Sequence, residues 1–153
     1  MLVAIAGGAL QGLETAYLAR KAGYETLLLD RRPDAPARGI CDRFAQVELT
    51  DSEALTPALE SADWVLPATE NAPALSSLVA WCRKRGMPLG FDPGAYATTS
   101  SKSASNALFR RLGLPTPAPW PECSFPVLAK PDGKSGGEGV EVLSDPRIRL
   151  RGP

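Results

Sequence analysis

Two lysines and a glycine-rich run are the residues best placed to do chemistry. Lys130 closes the apolar segment Pro126-Val127-Leu128-Ala129-Lys130-Pro131, and Asp132-Gly133-Lys134-Ser135-Gly136-Gly137-Glu138-Gly139 follows at once. Glycines at 133, 136, 137 and 139 let the backbone fold closely over a polyphosphate and donate N–H groups without side-chain obstruction. This is not a Walker loop, because Gly-x-x-x-x-Gly-Lys-Ser/Thr is absent and the run leads into a strand rather than a helix. The plain alternative is a ligand-free glycine hairpin. Upstream, Ser101-Lys102-Ser103 opens a helix with a cation where the helix dipole favours an anion. A bound phosphate resolves that conflict; simple solvation of Lys102 is the competing reading.

A second glycine turn lies near the start. Gly7, Ala9 and Gly12 follow a short apolar strand, and Asp30 ends the next one, where a ribose-binding acid of a dinucleotide fold would sit. The fingerprint is imperfect, since its central glycine is Ala9. Glycines that only allow close helix–strand packing explain the turn equally well, and a nicotinamide-binding module is a minor reading.

Composition narrows the chemistry further. The 153 residues contain no histidine, so histidine triads, histidine metal ligands and imidazole switches are excluded, leaving carboxylates and lysines for acid–base work. Lys plus Arg and Asp plus Glu both number 17, which gives no global field to recruit nucleic acid or an anionic membrane. The three cysteines, Cys41, Cys82 and Cys123, form no CxxC pair and read as reduced, buried thiols. No basic leader precedes the first apolar run and no apolar segment is long enough to cross a bilayer, so a cytoplasmic protein is expected.

The elements that must position these residues alternate. Apolar runs at 2–6, 26–30, 44–49, 63–66 and 87–91 read as buried parallel strands, with helices at 10–22, 52–60 and 71–85 between them. Gly23 and Gly86 stand where left-handed helix stops belong. This is the pattern of a doubly wound, Rossmann-like α/β domain over residues 1–92. Asp92-Pro93-Gly94 marks a boundary. Beyond it a helix at 100–112, a proline-rich connector at 114–121 and strands at 125–130 and 140–143 make the start of a second, α+β domain over 93–153, too small to be stable by itself. The chain reads as truncated.

These pieces, in order, resemble the ATP-grasp ligases. A lysine near a helix start is followed by Leu112-Gly113-Leu114-Pro115-Thr116-Pro117, then the 125–131 segment, then Ser135-Gly136-Gly137-Glu138-Gly139-Val140. The resemblance implies a Rossmann-like pre-ATP-grasp domain followed by the entry into an ATP-grasp domain. It also makes Lys102 and Lys130 the nucleotide-contacting lysines, and Gly133, Ser135, Gly136, Gly137 and Gly139 part of a loop over the phosphates of ATP. The run 7–23 and Leu66-Pro67-Ala68-Thr69-Glu70-Asn71 are similar to the pyrrolysine-biosynthesis ligases, which join 3-methylornithine to the ε-amine of lysine. That likeness implies an amino-acid pocket lined by Leu10, Gln11, Glu70 and Asn71, with Asp30 touching a nucleotide. Competing readings make Leu10 a core residue and Asn71 a helix cap.

The implied reaction is amide formation through an acylphosphate, with ATP and magnesium and small-molecule amino acids as partners. A homodimer is compatible with it. The magnesium ligands of such ligases belong to later strands than this chain contains, so the chain alone is expected to lack catalysis. Rival readings are an ATP-grasp ligase for purine precursors or D-alanine, and a non-catalytic assembly module.

Overall fold

The computed structural model describes residues 1–131, 137 and 139–145. The chain divides into two compact units, Met1–Phe91 and Asp92–Pro153.

The first unit is a mixed α/β layer structure around a four-stranded parallel sheet. Its strands are β1 (Leu2–Ala6), β2 (Glu25–Asp30), β3 (Arg43–Gln46) and β4 (Trp64–Pro67), in the order β3-β2-β1-β4. β1 lies in the middle, with Val3 level with Thr26 on one side and Trp64 on the other. All five of its residues are buried, as a strand covered on both faces requires. Alternate residues feed two cores. Leu2, Ala4, Ala6, Leu27, Leu29 and Val65 pack against Leu55 and Leu59 of α2 (Ser52–Leu59) and Leu78 and Trp81 of α3 (Ala72–Arg85). Val3, Ile5 and Leu28 pack on the opposite face with Ala16 of α1 (Leu10–Lys21) and with Ala37 of a 3-10 turn at Pro36–Gly39. Fully burying a side chain such as Leu55 or Leu78 contributes about 1.5–3 kcal/mol.

The helix ends follow the sequence. Gly23 and Gly86 take positive φ, +85° and +64°, and the cations Arg83, Lys84 and Arg85 fill the last turn of α3. Asp51 caps α2 by accepting from the N–H groups of Glu53 and Ala54. The outer strand β3 is latched to β2 by side chains. Asp42 accepts from both the N–H and the hydroxyl of the fully buried Thr26, each at 2.9 Å, and pairs with Arg20, while Arg43 pairs with Glu25 at 2.7 Å.

Four expectations change. The third strand runs from Arg43 to Gln46 instead of from Phe44 to Leu49. The segment 87–91 forms only a bridge, Leu89 beside Val65, because Pro88 has no N–H to extend a ladder. Asp92-Pro93-Gly94 starts a helix as well as a new unit: Asp92 accepts from Gly94 N and Ala95 N, and Pro93 opens α4 (Pro93–Thr99). Of the cysteines, all free, only Cys82 is buried; Cys41 and Cys123 are half-buried.

The second unit holds α4, α5 (Lys102–Arg111), and two antiparallel strands, β5 (Val127–Ala129) and β6 (Glu141–Leu143), with Leu128 opposite Val142. The proline-rich stretch from Leu114 to Pro119 forms no helix or strand, as its missing donors dictate.

Candidate functional site

The order β3-β2-β1-β4 places the chain's reversal point between β1 and β4. Loops leave the carboxyl ends of these neighbours in opposite directions there, which is where open parallel sheets hold ligands. Gly7-Gly8-Ala9 leads from β1 into α1, and Ala68-Thr69-Glu70-Asn71 leads from β4 into α3. The two connections are in contact: a Cβ on Gly7, whose φ is +107°, would meet the Ala68 carbonyl oxygen at 2.7 Å and Thr69 Cβ at 3.2 Å.

Of the four residues expected at an amino-acid pocket, Leu10 and Gln11 are therefore the first two of α1, and Glu70 and Asn71 immediately precede α3 at the same end of the sheet. All four are exposed. Leu10, 66% exposed, is not a core residue. Asn71 is the N-cap of α3, its Oδ1 accepting from Ala74 N at 2.9 Å, so the capping reading holds for its side chain. α1 is built differently. Its N-cap, Ala9, offers no side-chain acceptor and its first turn carries no acid, so the positive end of its dipole has no anionic group from within the helix.

The glycine turn owes its composition to packing. A Cβ on Gly12 would lie 2.0 Å from the Gly7 carbonyl oxygen, so the first turn of α1 sits directly on the end of β1. Asp30 fastens the same turn. Only 6% exposed, it accepts from Gly8 N at 2.7 Å through Oδ2 and from Arg32 N at 2.8 Å through Oδ1, and the Arg32 guanidinium pairs with both oxygens at 3.2 Å. Burial pushes this carboxyl up, but Arg32 and the two backbone N–H groups outweigh it and hold the group below its ordinary range. Arg32 went unnoticed in the sequence because an i, i+2 pair across a strand end has no periodic signature.

In the second unit, two groups meet at Pro131, the residue that follows Lys130. Lys102, the first residue of α5, donates from Nζ to the Pro131 carbonyl oxygen at 3.1 Å. Lys130, exposed, is the neighbouring residue at the end of β5. Gly139, at φ +70°, lies so near the Pro131 ring that a Cβ there would meet Cγ at 2.8 Å. Gly137 also has positive φ, +80°, the conformation that turns backbone N–H groups inward in anion-binding loops. Gly133, Ser135 and Gly136 lie outside the described residues. Ser101 caps α5 by accepting from Ala104 N at 3.1 Å. The Lys102 ammonium group and Gly139, at positive φ, thus both lie against Pro131, the residue that follows Lys130. Among the described residues no cluster of three His, Cys, Asp or Glu side chains that could hold a metal is found, and no helix is long and apolar enough to cross a membrane.

No family model matches the chain. It is 33% identical over 144 residues to the 3-methyl-D-ornithine--L-lysine ligase of Methanosarcina mazei, a match covering 94% of this chain and 38% of that protein. It is 32% identical over 90 residues to the N5-carboxyaminoimidazole ribonucleotide synthase of Staphylococcus aureus, covering 59% of this chain and 24% of that one. Among solved structures, the ADP complex of an N5-carboxyaminoimidazole ribonucleotide synthetase superposes with a TM-score of 0.75 at 23% identity, over 95% of this chain and 41% of the other, a likeness of fold. The chain spans about two fifths of the length of the Methanosarcina relative. By sequence and by fold, then, the chain is a homologue of the N-terminal portion of these ATP-grasp carbon–nitrogen ligases.

Proposed function

We propose that this chain forms the pre-ATP-grasp domain and the first part of the ATP-grasp domain of an ATP-dependent carboxylate–amine ligase, joining 3-methylornithine to the ε-amine of lysine in pyrrolysine biosynthesis. The approach of Lys102 and Gly139 to Pro131, which directly follows Lys130, carries the reading, because it sets a cation and a positive-φ glycine at one point of the second unit.

In such a reaction the substrate carboxylate takes the γ-phosphoryl group of ATP, releasing ADP and forming an acylphosphate. The amine, having lost a proton, attacks the acyl carbon; the C–O bond to phosphate breaks and the amide forms. Lys102 and Lys130 would balance charge on the phosphate oxygens, and the N–H groups around Gly137 and Gly139 would orient them. Leu10, Gln11, Glu70 and Asn71 would line the amino-acid pocket. There the uncapped start of α1 suits a substrate carboxylate and the Glu70 carboxylate suits an ammonium. Asp30 would approach a nucleotide by way of the turn that it fastens. Magnesium accompanies ATP in this reading, with ligands outside the described residues; the location is cytoplasmic, and a homodimer is compatible with it.

The test is a ligase in which this chain replaces the matched portion of the Methanosarcina relative. With ATP, magnesium, 3-methylornithine and lysine it should yield the amide by mass spectrometry. Lys130→Ala should lower turnover roughly 10- to 100-fold, as loss of a charge-assisted hydrogen bond predicts. Unchanged turnover in that variant refutes the assignment. Product from a purine precursor in place of the amino acids would transfer the reading to the synthase relatives.

A further inference from the structure

The helices begin in two ways. Among the described residues, α2, α3, α4 and α5 each start at a side chain that accepts from the helix's own first turn: Asp51, Asn71, Asp92 and Ser101. α1 starts at Ala9, whose methyl group cannot do so, and its start is held instead from the neighbouring strand. The hold is on Gly8. Its N–H donates to Asp30 Oδ2 at 2.7 Å and its carbonyl oxygen accepts from Ala37 N at 3.0 Å, while a Cβ added to it would lie 2.7 Å from Ala35 Cβ. The next residue, Ala9, accepts from Leu13 N at 2.9 Å and so opens the bonding of α1. Whatever displaces Gly8 therefore displaces the start of the helix.

The acid that holds Gly8 needs holding itself. A carboxylate only 6% exposed is driven towards its neutral form or towards solvent, and either change weakens its bond to Gly8 N. Arg32 counters both. Its Nε donates to Oδ1 and its Nη2 to Oδ2, each at 3.2 Å, and this fork fixes the charge and the plane of the carboxylate together. The Arg32 side chain is 48% exposed, so its removal does not excavate the core. We infer that Arg32 is a positioning residue for the amino-acid pocket: through Asp30 it fixes Gly8 and the start of α1, and with them the placement of Leu10 and Gln11. The inference rests on the ligase reading for the identity of the ligand.

Two measurements test it. In the chain itself, Arg32→Met should speed hydrogen exchange at the Gly8 amide about 10-fold or more, while the Ala4 and Leu28 amides stay as slow as in the wild type. In the chimeric ligase, the same variant should raise the KM for an amino-acid substrate about 5-fold or more and leave kcat and the KM for ATP within about 2-fold. Arg32→Lys keeps the charge without the fork and should fall between wild type and Arg32→Met in both measurements, so the test does not depend on the harsher variant. Because Arg32 acts through one carboxylate, Asp30→Asn/Arg32→Met should be no worse than Asp30→Asn alone. Arg31→Met, at a neighbour that pairs with Glu48 at 3.6 Å, should change neither readout. A Gly8 amide indifferent to Arg32→Met overturns the inference, as do additive losses in the double variant. A chimera that makes the amide with an amino-acid KM unmoved by Arg32→Met, or with kcat and the KM for ATP moved equally, overturns it and leaves the ligase reading standing. A wild-type chimera that makes no amide, with the Gly8 amide still loosened by Arg32→Met, refutes the ligase reading and leaves the hold of Arg32 on the start of α1.

Discussion

The Asp30 carboxylate accepts the Gly8 N–H at 2.7 Å across the ends of neighbouring strands, so the turn that enters α1 is fastened by a side chain of β2. Replacing it with asparagine removes the charge and one acceptor from a group that is 6% exposed. Asp30→Asn is expected to cost about 1.5–3 kcal/mol at neutral pH, read as the urea midpoint of the first unit.

That loss should depend on pH. The folded carboxyl lies below its ordinary value near 3.8, so its stabilisation is present above that value and disappears as pH falls through the lower, folded one. The difference between wild type and Asp30→Asn is therefore expected to be constant from neutral pH to about pH 5 and to shrink below 4. A difference that grows on acidification contradicts the assignment.

Thr26 and Asp42 should behave as a unit. Asp42→Ala leaves the buried Thr26 hydroxyl without the acceptor it has at 2.9 Å and is expected to cost about 1–3 kcal/mol. Thr26→Val in addition should recover part of that loss, and a double-mutant cycle should return a coupling of about 0.5–3 kcal/mol. Additive losses would place the latch elsewhere.

Gly12 and Gly39 make a matched pair. Alanine at 12 drives a Cβ to 2.0 Å from a backbone oxygen, which only a shift of helix or turn can relieve, and is expected to cost about 1–3 kcal/mol or more. Alanine at 39 meets nothing within 4 Å and is expected to be neutral within about 0.5 kcal/mol. Thermal melts of the two variants measure this directly.

In the chimeric ligase, Gln11→Ala and Glu70→Ala are expected to raise the KM for an amino-acid substrate about 10-fold or more while leaving the KM for ATP within about 2-fold. Lys102→Met should do the reverse. Steady-state kinetics with each substrate varied in turn separates these effects.

Much of the first unit was legible because its physics is local. Leu2–Ala6 and Thr26–Asp30 are unbroken apolar runs ending at a glycine or an acid, and Gly23 and Gly86 stop helices by a conformation other residues avoid. β3 was harder, because a half-exposed edge strand has a diluted apolar signal. The segment 87–91 looked like a strand by composition, but a ladder needs the donor that Pro88 lacks. α4 was hidden because Asp-Pro-Gly is equally a turn and a helix start. At the candidate site, residue types pointed to Lys102, Lys130 and the glycines, yet the bond from Lys102 to Pro131 spans 29 positions and depends on tertiary structure. The Asp30–Arg32 pair was equally unreadable, since nothing in the spacing says which partner a buried acid selects.

The Gly12 position has a wider implication. A methyl group is barred there by the oxygen of the preceding turn, with no ligand involved. A signature built on that glycine would gather proteins by how tightly a helix is seated on a strand, and would be silent about which small molecule any of them carries.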